Sequence, residues 1–226
     1  MKEFDRLVEI LKLLRSPKGC PWDRAQKIKD YERYLLEETY ELVDAIRSGR
    51  PDQIREELGD LYLILTMICQ LFAERKKFNA SGALRAINAK LVARHPHVFS
   101  RKRLGTKEEV LKYWVKAKAK KKNRKTVKDR LPKAAPALFI AEVLMREISY
   151  MQGKKFNPEK ISREALSAVR KNLASFPRAV DKGKSLSDVL LALCQLSAAC
   201  KIDLETTLHQ RVMRLASKTP YQKHSS

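Results

Sequence analysis

Two pairs of acidic residues constrain the fold of this chain more than any other feature of its sequence. Glu38 and Glu41 lie three positions apart in one segment with helical periodicity, and Glu57 and Asp60 lie three apart in the next. Residues three apart share one face of a helix, and the short connection at Ser48–Pro51 favours an antiparallel hairpin. Such a hairpin brings four carboxylates together, where their repulsion requires a cation. Ligands that are all oxygen favour Mg²⁺ or Mn²⁺, which commonly bridge to phosphate groups.

Helical periodicity also dominates the rest of the sequence. Strand signals are scarce, since alternation is not sustained and only seven glycines are present. We expect Asp52 to cap the third helix and the fourth helix to end before Pro96. The predicted helices of the first half run over about residues 4–14, 29–47, 52–72 and 81–94, with a basic fifth helix from about 107. The pattern predicts an all-α protein.

The composition fits a cytoplasmic protein with no membrane segment. At 226 residues, 44% of them hydrophobic, the chain can form one large or two small domains. No apolar run reaches the roughly 18 residues of a membrane span, and the first residues do not resemble a signal peptide. The four cysteines show no CxxC spacing typical of zinc or redox sites.

The positive charge is concentrated after the acidic pairs. The formal net charge is +22, of which residues 1–100 contribute +3, residues 101–130 contribute +11 and residues 131–226 contribute +8. A basic segment attracts polyanions, so nucleic acid is a minority candidate partner beside triphosphate substrates. Tyr113 and Trp114 are the only aromatic residues between Phe99 and Phe139, so nucleic-acid binding at 101–130 would be mainly electrostatic. The alternative is a solvated extension.

The second half of the chain repeats part of the first. The segment from Asp60 to Leu71 resembles the segment from Asp188 to Leu196, and a Lys-rich stretch with two prolines separates the halves. Aligning Asp188 on Asp60 places Ser185 where Glu57 stands, so the acidic pairs do not recur. We therefore interpret the second half as a structural or partner-binding copy.

Four motifs in order carry a resemblance to a known family. They are Cys20–Asp23, Leu36–Glu41, Glu56–Asp60 and Arg94–Phe99. Together they resemble the MazG family of nucleoside triphosphate pyrophosphohydrolases, in the all-α NTP pyrophosphohydrolase superfamily. The resemblance covers about residues 1–118, and the second half is similar to a decayed copy of the family's other repeat.

The resemblance implies a dimerising helical bundle that hydrolyses NTP or dNTP to the monophosphate and pyrophosphate with Mg²⁺. We accordingly predict a MazG-like catalytic helical domain at 1–119, a basic linker at 120–136 and a degenerate MazG-like repeat at 137–226. The alternative is a catalytically inactive, regulatory or polyanion- or nucleic-acid-binding helical protein with a vestigial acidic site.

The acidic residues have two interpretations. In the first, Glu38, Glu41, Glu57 and Asp60 bind Mg²⁺, with Mn²⁺ as an option, and Glu37 beside Glu38 orients or deprotonates the attacking water. In the second, the four form a solvated face paired with nearby cations. The candidate cations for such pairs are Arg33, Arg47 and Arg55.

The resemblance also implies substrate-binding residues. Lys90 and Arg94, one turn apart, match a family Lys and Arg that bind phosphates, and Trp114 matches a Trp near the nucleotide. The alternatives are solvated cations and ordinary packing. Trp22 can border the nucleotide, although we prefer the interpretation that the loop containing Trp22 fixes the first helix to the second.

Overall fold

The computed structural model describes residues 2–101, 103–121, 126–152 and 157–218. Within these ranges the chain is helical and contains no β-strand, so the all-α prediction is confirmed. Two short 3₁₀ helices, Val127–Arg130 and Phe176–Arg178, accompany the α-helices. The α-helices are α1 Lys2–Leu14, α2 Pro21–Ala25, α3 Asp30–Ser48, α4 Pro51–Glu74, α5 Ala80–Arg94, α6 Pro96–Phe99, α7 Lys107–Lys121, α8 Ala137–Gln152, α9 Pro158–Ser175, α10 Lys182–Cys200 and α11 Leu204–Ala216.

The first of two compact units spans residues 1–106 and is built on the α3–α4 hairpin. Its buried core joins Leu11 of α1 and Tyr31 of α3 to Ile64, Met67 and Leu71 of α4. The three α4 residues are spaced at i, i+3 and i+7, so they form one stripe along the helix. Helix α1 packs on this stripe and covers one side of the hairpin.

The hairpin turn depends on one glycine. Gly49 follows α3 with φ of 68° and ψ of 16°, and its backbone N–H donates to the carbonyl of Ile46 at 3.2 Å. This left-handed conformation is costly for residues with a Cβ and ends helices efficiently. Pro51 then occupies the first position of α4, where its missing N–H costs nothing. The expected cap by Asp52 is wrong, because Asp52 lies inside the first turn of α4 and pairs with Arg55.

Helix α5 leaves the bundle at the far end of α4. Its N-terminus is capped by Asn79, whose side chain accepts from the backbone N–H of Gly82 at 2.9 Å. Residues 83–93 are all exposed, because α5 contacts α4 only over a short stretch. The helix ends at Arg94, as predicted from Pro96.

A single arginine joins three segments at this same end. Arg15, directly after α1, forms two hydrogen bonds to the carboxylate of Glu74, with distances of 2.6 and 2.8 Å. It also donates to the backbone carbonyls of Asp23 and Gln26 in the loop around α2. Gln70 adds a hydrogen bond to the same carboxylate at 3.2 Å. The α2 loop is thereby fixed to the C-terminal end of α4.

The second unit spans residues 107–226 and is built on the α9–α10 hairpin, against which α8 packs. Small buried residues, Ala165 on α9 with Ala192 and Cys194 on α10, line its core. Glu142 of α8 accepts backbone N–H bonds from Leu204 at 2.7 Å and Glu205 at 3.3 Å, which caps α11.

The division into units differs from the proposed domain boundaries. Helix α7 groups with the second unit, whereas the proposed catalytic domain extends to residue 119. Residues 122–125 of the proposed linker, residue 102 of the basic segment, and residues 153–156 and 219–226 of the proposed repeat lie outside the described residues. Over the part of the chain that is described, no single helix is long and apolar enough to cross a membrane; the bent pair α10 and α11 passes that test jointly, by length and composition.

Candidate metal centre

The acidic pairs are placed symmetrically about the hairpin turn. Glu41 and Glu57 each lie eight residues from Gly49, and Glu38 and Asp60 each lie eleven residues from it. The two antiparallel helices rise equally per residue, so residues equidistant from the turn come to the same level. The spacing of three within each pair then keeps both members on the facing sides of α3 and α4.

The structure brings three of these four side chains to within ligand distance of one another. One carboxylate oxygen from each of Glu38, Glu41 and Glu57 lies within 4.8 Å of the other two. Asp60 is close enough for its charge to act on both Glu38 and Glu57. Glu38, Glu57 and Asp60 are half-buried and Glu41 is exposed, so the cluster is open to solvent.

The pKa values of Glu38 and Glu57 reflect this crowding. Partial desolvation raises the pKa of Glu38, and the negative charges of Asp60, Glu41 and Glu57 raise it further. Desolvation also raises the pKa of Glu57, followed by the charge of Glu41, with which it shares a hydrogen bond. Both carboxyls thus hold protons more tightly than usual, and a cation among them reverses this tendency.

The nearby arginines do not neutralise the cluster. Arg33, Arg47 and Arg55 were the alternative partners for these carboxylates, yet each pairs with an acidic residue outside the four. Among the described residues no ion pair to these four carboxylates is formed. An acidic group that offers several oxygen atoms at ligand distance fits a hard divalent cation. The observed pairs are Arg33–Glu37 at 3.9 Å, Arg47–Asp44 at 3.6 Å and Arg55–Asp52 at 3.1 Å.

The remaining predicted residues of the first unit lie outside the cluster. Glu37 is exposed on α3 beside Glu38. Lys90 and Arg94 lie one turn apart on α5, as predicted, and Lys90 forms no ion pair with the carboxylates in the described part of the chain. Their part in phosphate binding stays a prediction.

Trp22 lies away from the acidic cluster, and Trp114 belongs to the second unit. Trp22 is 66% exposed in the loop that Arg15 fixes to Glu74. Glu74 follows Asp60 by fourteen residues on α4, so the loop lies about 21 Å along that helix from the cluster. Trp114 is half-buried on α7 in the second unit. The Arg15–Glu74 bond that positions the Trp22 loop left no local signal in the sequence, because its partners are 59 residues apart.

The second unit differs at the corresponding positions. Ser185, which aligns with Glu57, is buried, and its hydroxyl donates to the carbonyl of Asn172 at 3.4 Å. At this position the second unit therefore has a hydroxyl that bonds to the neighbouring helix, where the first unit has a carboxylate of the acidic cluster. Asp188, which aligns with Asp60, is half-buried.

Comparison with known proteins identifies the family. A sequence profile described as the MazG nucleotide pyrophosphohydrolase domain matches residues 26–99, which include all four acidic residues. A nucleoside triphosphate pyrophosphohydrolase/pyrophosphatase MazG of Thermotoga maritima is 32% identical over 219 residues, covering 95% of this chain and 83% of that protein.

Two further relatives are matched over part of their length. Nucleoside triphosphate pyrophosphohydrolases of Escherichia coli and Mycobacterium tuberculosis are 37% identical over 150 residues and 35% identical over 168 residues. The matches cover 65% and 73% of this chain, but only 57% and 51% of those proteins. Identity with the Thermotoga protein extends through both units, and the profile match coincides with the acidic hairpin. The chain therefore belongs to the MazG family.

Proposed function

We propose that this protein is a nucleoside triphosphate pyrophosphohydrolase, which cleaves NTP or dNTP to the monophosphate and pyrophosphate with a divalent metal ion. The observation that carries the proposal is the convergence of three carboxylate oxygens within 4.8 Å of one another, inside the region that matches the family. The three relatives described above are named for this activity.

The roles of the acidic residues follow from their positions. Glu38, Glu41, Glu57 and Asp60 would hold Mg²⁺, with Mn²⁺ as the alternative. Such an ion neutralises charge on the triphosphate oxygens and acidifies a water molecule. Glu37 lies next to Glu38, is exposed and pairs with Arg33 at 3.9 Å; we assign it the role of accepting a proton from the attacking water or orienting that water.

Lys90, Arg94 and Trp114 are proposed to bind the substrate. The two cations lie on one face of α5, which suits contact with successive phosphates. Trp114 offers a ring for stacking on a base. Trp22 is the least supported of the predicted substrate contacts, because its loop is anchored at the end of α4 away from the carboxylates.

A homodimer is part of the proposal. Leu36 and Tyr40 on α3 and Tyr62 on α4 are each more than half exposed on the hairpin, and α5 exposes Leu91. Two such surfaces gain stability by covering each other. Sedimentation equilibrium should give twice the chain mass of 26.1 kDa, and a monomer at micromolar concentration would contradict dimerisation without affecting the metal-site proposal.

Pyrophosphate release tests the activity. A panel of NTPs and dNTPs is assayed with and without Mg²⁺, using the wild-type chain and the variants Glu41→Gln and Asp60→Asn. We expect release only with the metal, and its loss in both variants. Asp44→Asn is the matched control, because Asp44 also lies on α3 but pairs with Arg47 outside the cluster. Full activity in either cluster variant refutes the ligand assignment.

A further inference from the structure

The end of the first unit opposite the carboxylate cluster is strongly cationic. Between Glu74 and Glu108 the sequence holds ten Lys and Arg residues and no Asp or Glu. Of these cations, Arg75, Lys76 and Lys77 lie at the turn from α4 to α5, Arg85 lies in the second turn of α5, and all four are exposed. We call these four residues and Phe78 the α4–α5 cationic surface.

This surface encloses a shallow cavity. Its volume is about 400 Å³, and Lys76, Lys77, Phe78 and Arg85 lie along its wall. Within the described ranges, none of the three cations forms an ion pair. Their charge is therefore available to an external anion.

An aromatic ring lies beside these cations at the cavity. Phe78 is 43% exposed, and its ring stacks on the ring of Phe72. The two ring centroids are 4.7 Å apart and the ring planes are inclined by 18°. The guanidinium of Arg75 lies 6.0 Å from the centre of the Phe72 ring. Stacking on Phe72 holds the Phe78 ring in place at the cavity.

A second exposed ring is fixed at the same end. Trp22 is 66% exposed, and the next residue, Asp23, accepts a hydrogen bond from Arg15. Arg15 in turn binds Glu74, the residue before Arg75. The ion pair therefore ties the backbone next to Trp22 to Glu74, the residue before the cationic turn.

Clustered cations beside exposed aromatic rings are the combination that binds unpaired nucleotides. The cations contact phosphates, and each base can stack on a ring whatever its identity. In a duplex the bases are already stacked on one another, so exposed rings gain nothing from it.

From these contacts we propose that the α4–α5 cationic surface, with Trp22, binds single-stranded nucleic acid. The surface is separated from the carboxylate cluster by about 21 Å of α4. It therefore gives the protein a binding function beside nucleotide hydrolysis and independent of the metal site.

Anisotropy of a labelled single strand of about 12 thymidines, a length within the usual site size, tests the proposal on the whole chain. The double variant Lys76→Glu with Lys77→Glu is compared with Arg170→Glu with Lys171→Glu, two adjacent exposed cations on α9. Both double variants change the net charge by the same amount, so a difference between their affinities for the single strand locates the binding site. Arg85→Glu repeats the test at a helical position.

We expect the first double variant to bind at least tenfold more weakly than the α9 control. The slope of log affinity against log salt should become shallower by about 1.4, the value for two lost contacts at roughly 0.7 each. Equal weakening in the two double variants, with Arg85→Glu unchanged, would overturn the proposal.

Trp22 supplies a second readout. Only two tryptophans are present, so Trp22 reports alone in a Trp114→Phe background. Binding should quench its fluorescence, and Trp22→Ala should weaken binding about fivefold or more, as for loss of one stacked base. Unchanged fluorescence and affinity would contradict stacking, and so would a duplex of equal length that binds as tightly. Competition by pyrophosphate at micromolar concentration would show a small-anion site instead.

Discussion

Replacing Glu74 with glutamine tests how firmly the ion pair with Arg15 fixes the bundle end that carries the Trp22 loop. The side chain of Arg15 is only 8% exposed, and Glu74 supplies both of its charged hydrogen bonds. Hydrogen bonds to charged groups contribute about 1.5–3 kcal/mol each to stability. Glutamine keeps one acceptor oxygen, and Glu74 is 35% exposed, so we expect a loss of about 2 kcal/mol in the free energy of unfolding.

Urea unfolding at pH 7 measures this loss as a lower midpoint at an unchanged m-value. Glu9→Gln is the matched control, because Glu9 pairs with Lys12 at 2.7 Å while both side chains are more than half exposed. Such exposed pairs contribute little, so the control should change the unfolding free energy by less than about 0.5 kcal/mol.

The pH dependence gives an independent check of the same pair. The hydrogen bond from Arg15 is the main cause of the lowered pKa of Glu74. A lowered carboxyl pKa stabilises the fold above the ordinary value, about 4.3 for Glu, and this contribution disappears as pH falls through the lowered pKa. The gap between wild type and Glu74→Gln should therefore narrow below about pH 4.3. A gap that stays constant with pH, or equals that of the Glu9 control, refutes the reasoning.

Three other changes test the fold and the metal centre. Gly49→Ala should lower the unfolding free energy by about 1–2 kcal/mol, because of its left-handed backbone; urea titration measures this, and a neutral result would contradict it. Leu11→Ala, at 1% exposure, should cost about 2–5 kcal/mol, whereas Leu13→Ala, at 69% exposure, should cost little in the same assay. Mn²⁺ affinity, measured by calorimetry, should fall as pH is lowered through the raised pKa values of Glu38 and Glu57, since the ion competes with their protons. Affinity that stays constant down to the ordinary carboxyl range, about pH 4.3, would show that these carboxyls do not bind the ion.

The sequence predicted the helices better than their caps. The apolar stripes of α1, α3 and α4 and the breaks at Gly49 and Pro96 depend on neighbours a few residues away. Caps depend on one or two dihedral angles, and at α4 the position expected for Asp52 was taken by Arg50 in an extended conformation. The pairing of Arg33, Arg47 and Arg55 away from the cluster was likewise a matter of rotamers that spacing does not specify.

By itself the sequence determined the all-α class and the approach of the four carboxylates. The reason is local geometry: two regular helices of equal rise, joined by a tight turn, carry acidic residues at equal distances from Gly49. Only the tertiary structure decided what lies at the other end of the bundle. There Arg15 meets Glu74 across 59 residues and ties the segment that carries Trp22 to the end of α4. Such contacts depend on how whole helices pack and on where loops end, and these are properties that no short window of residues contains.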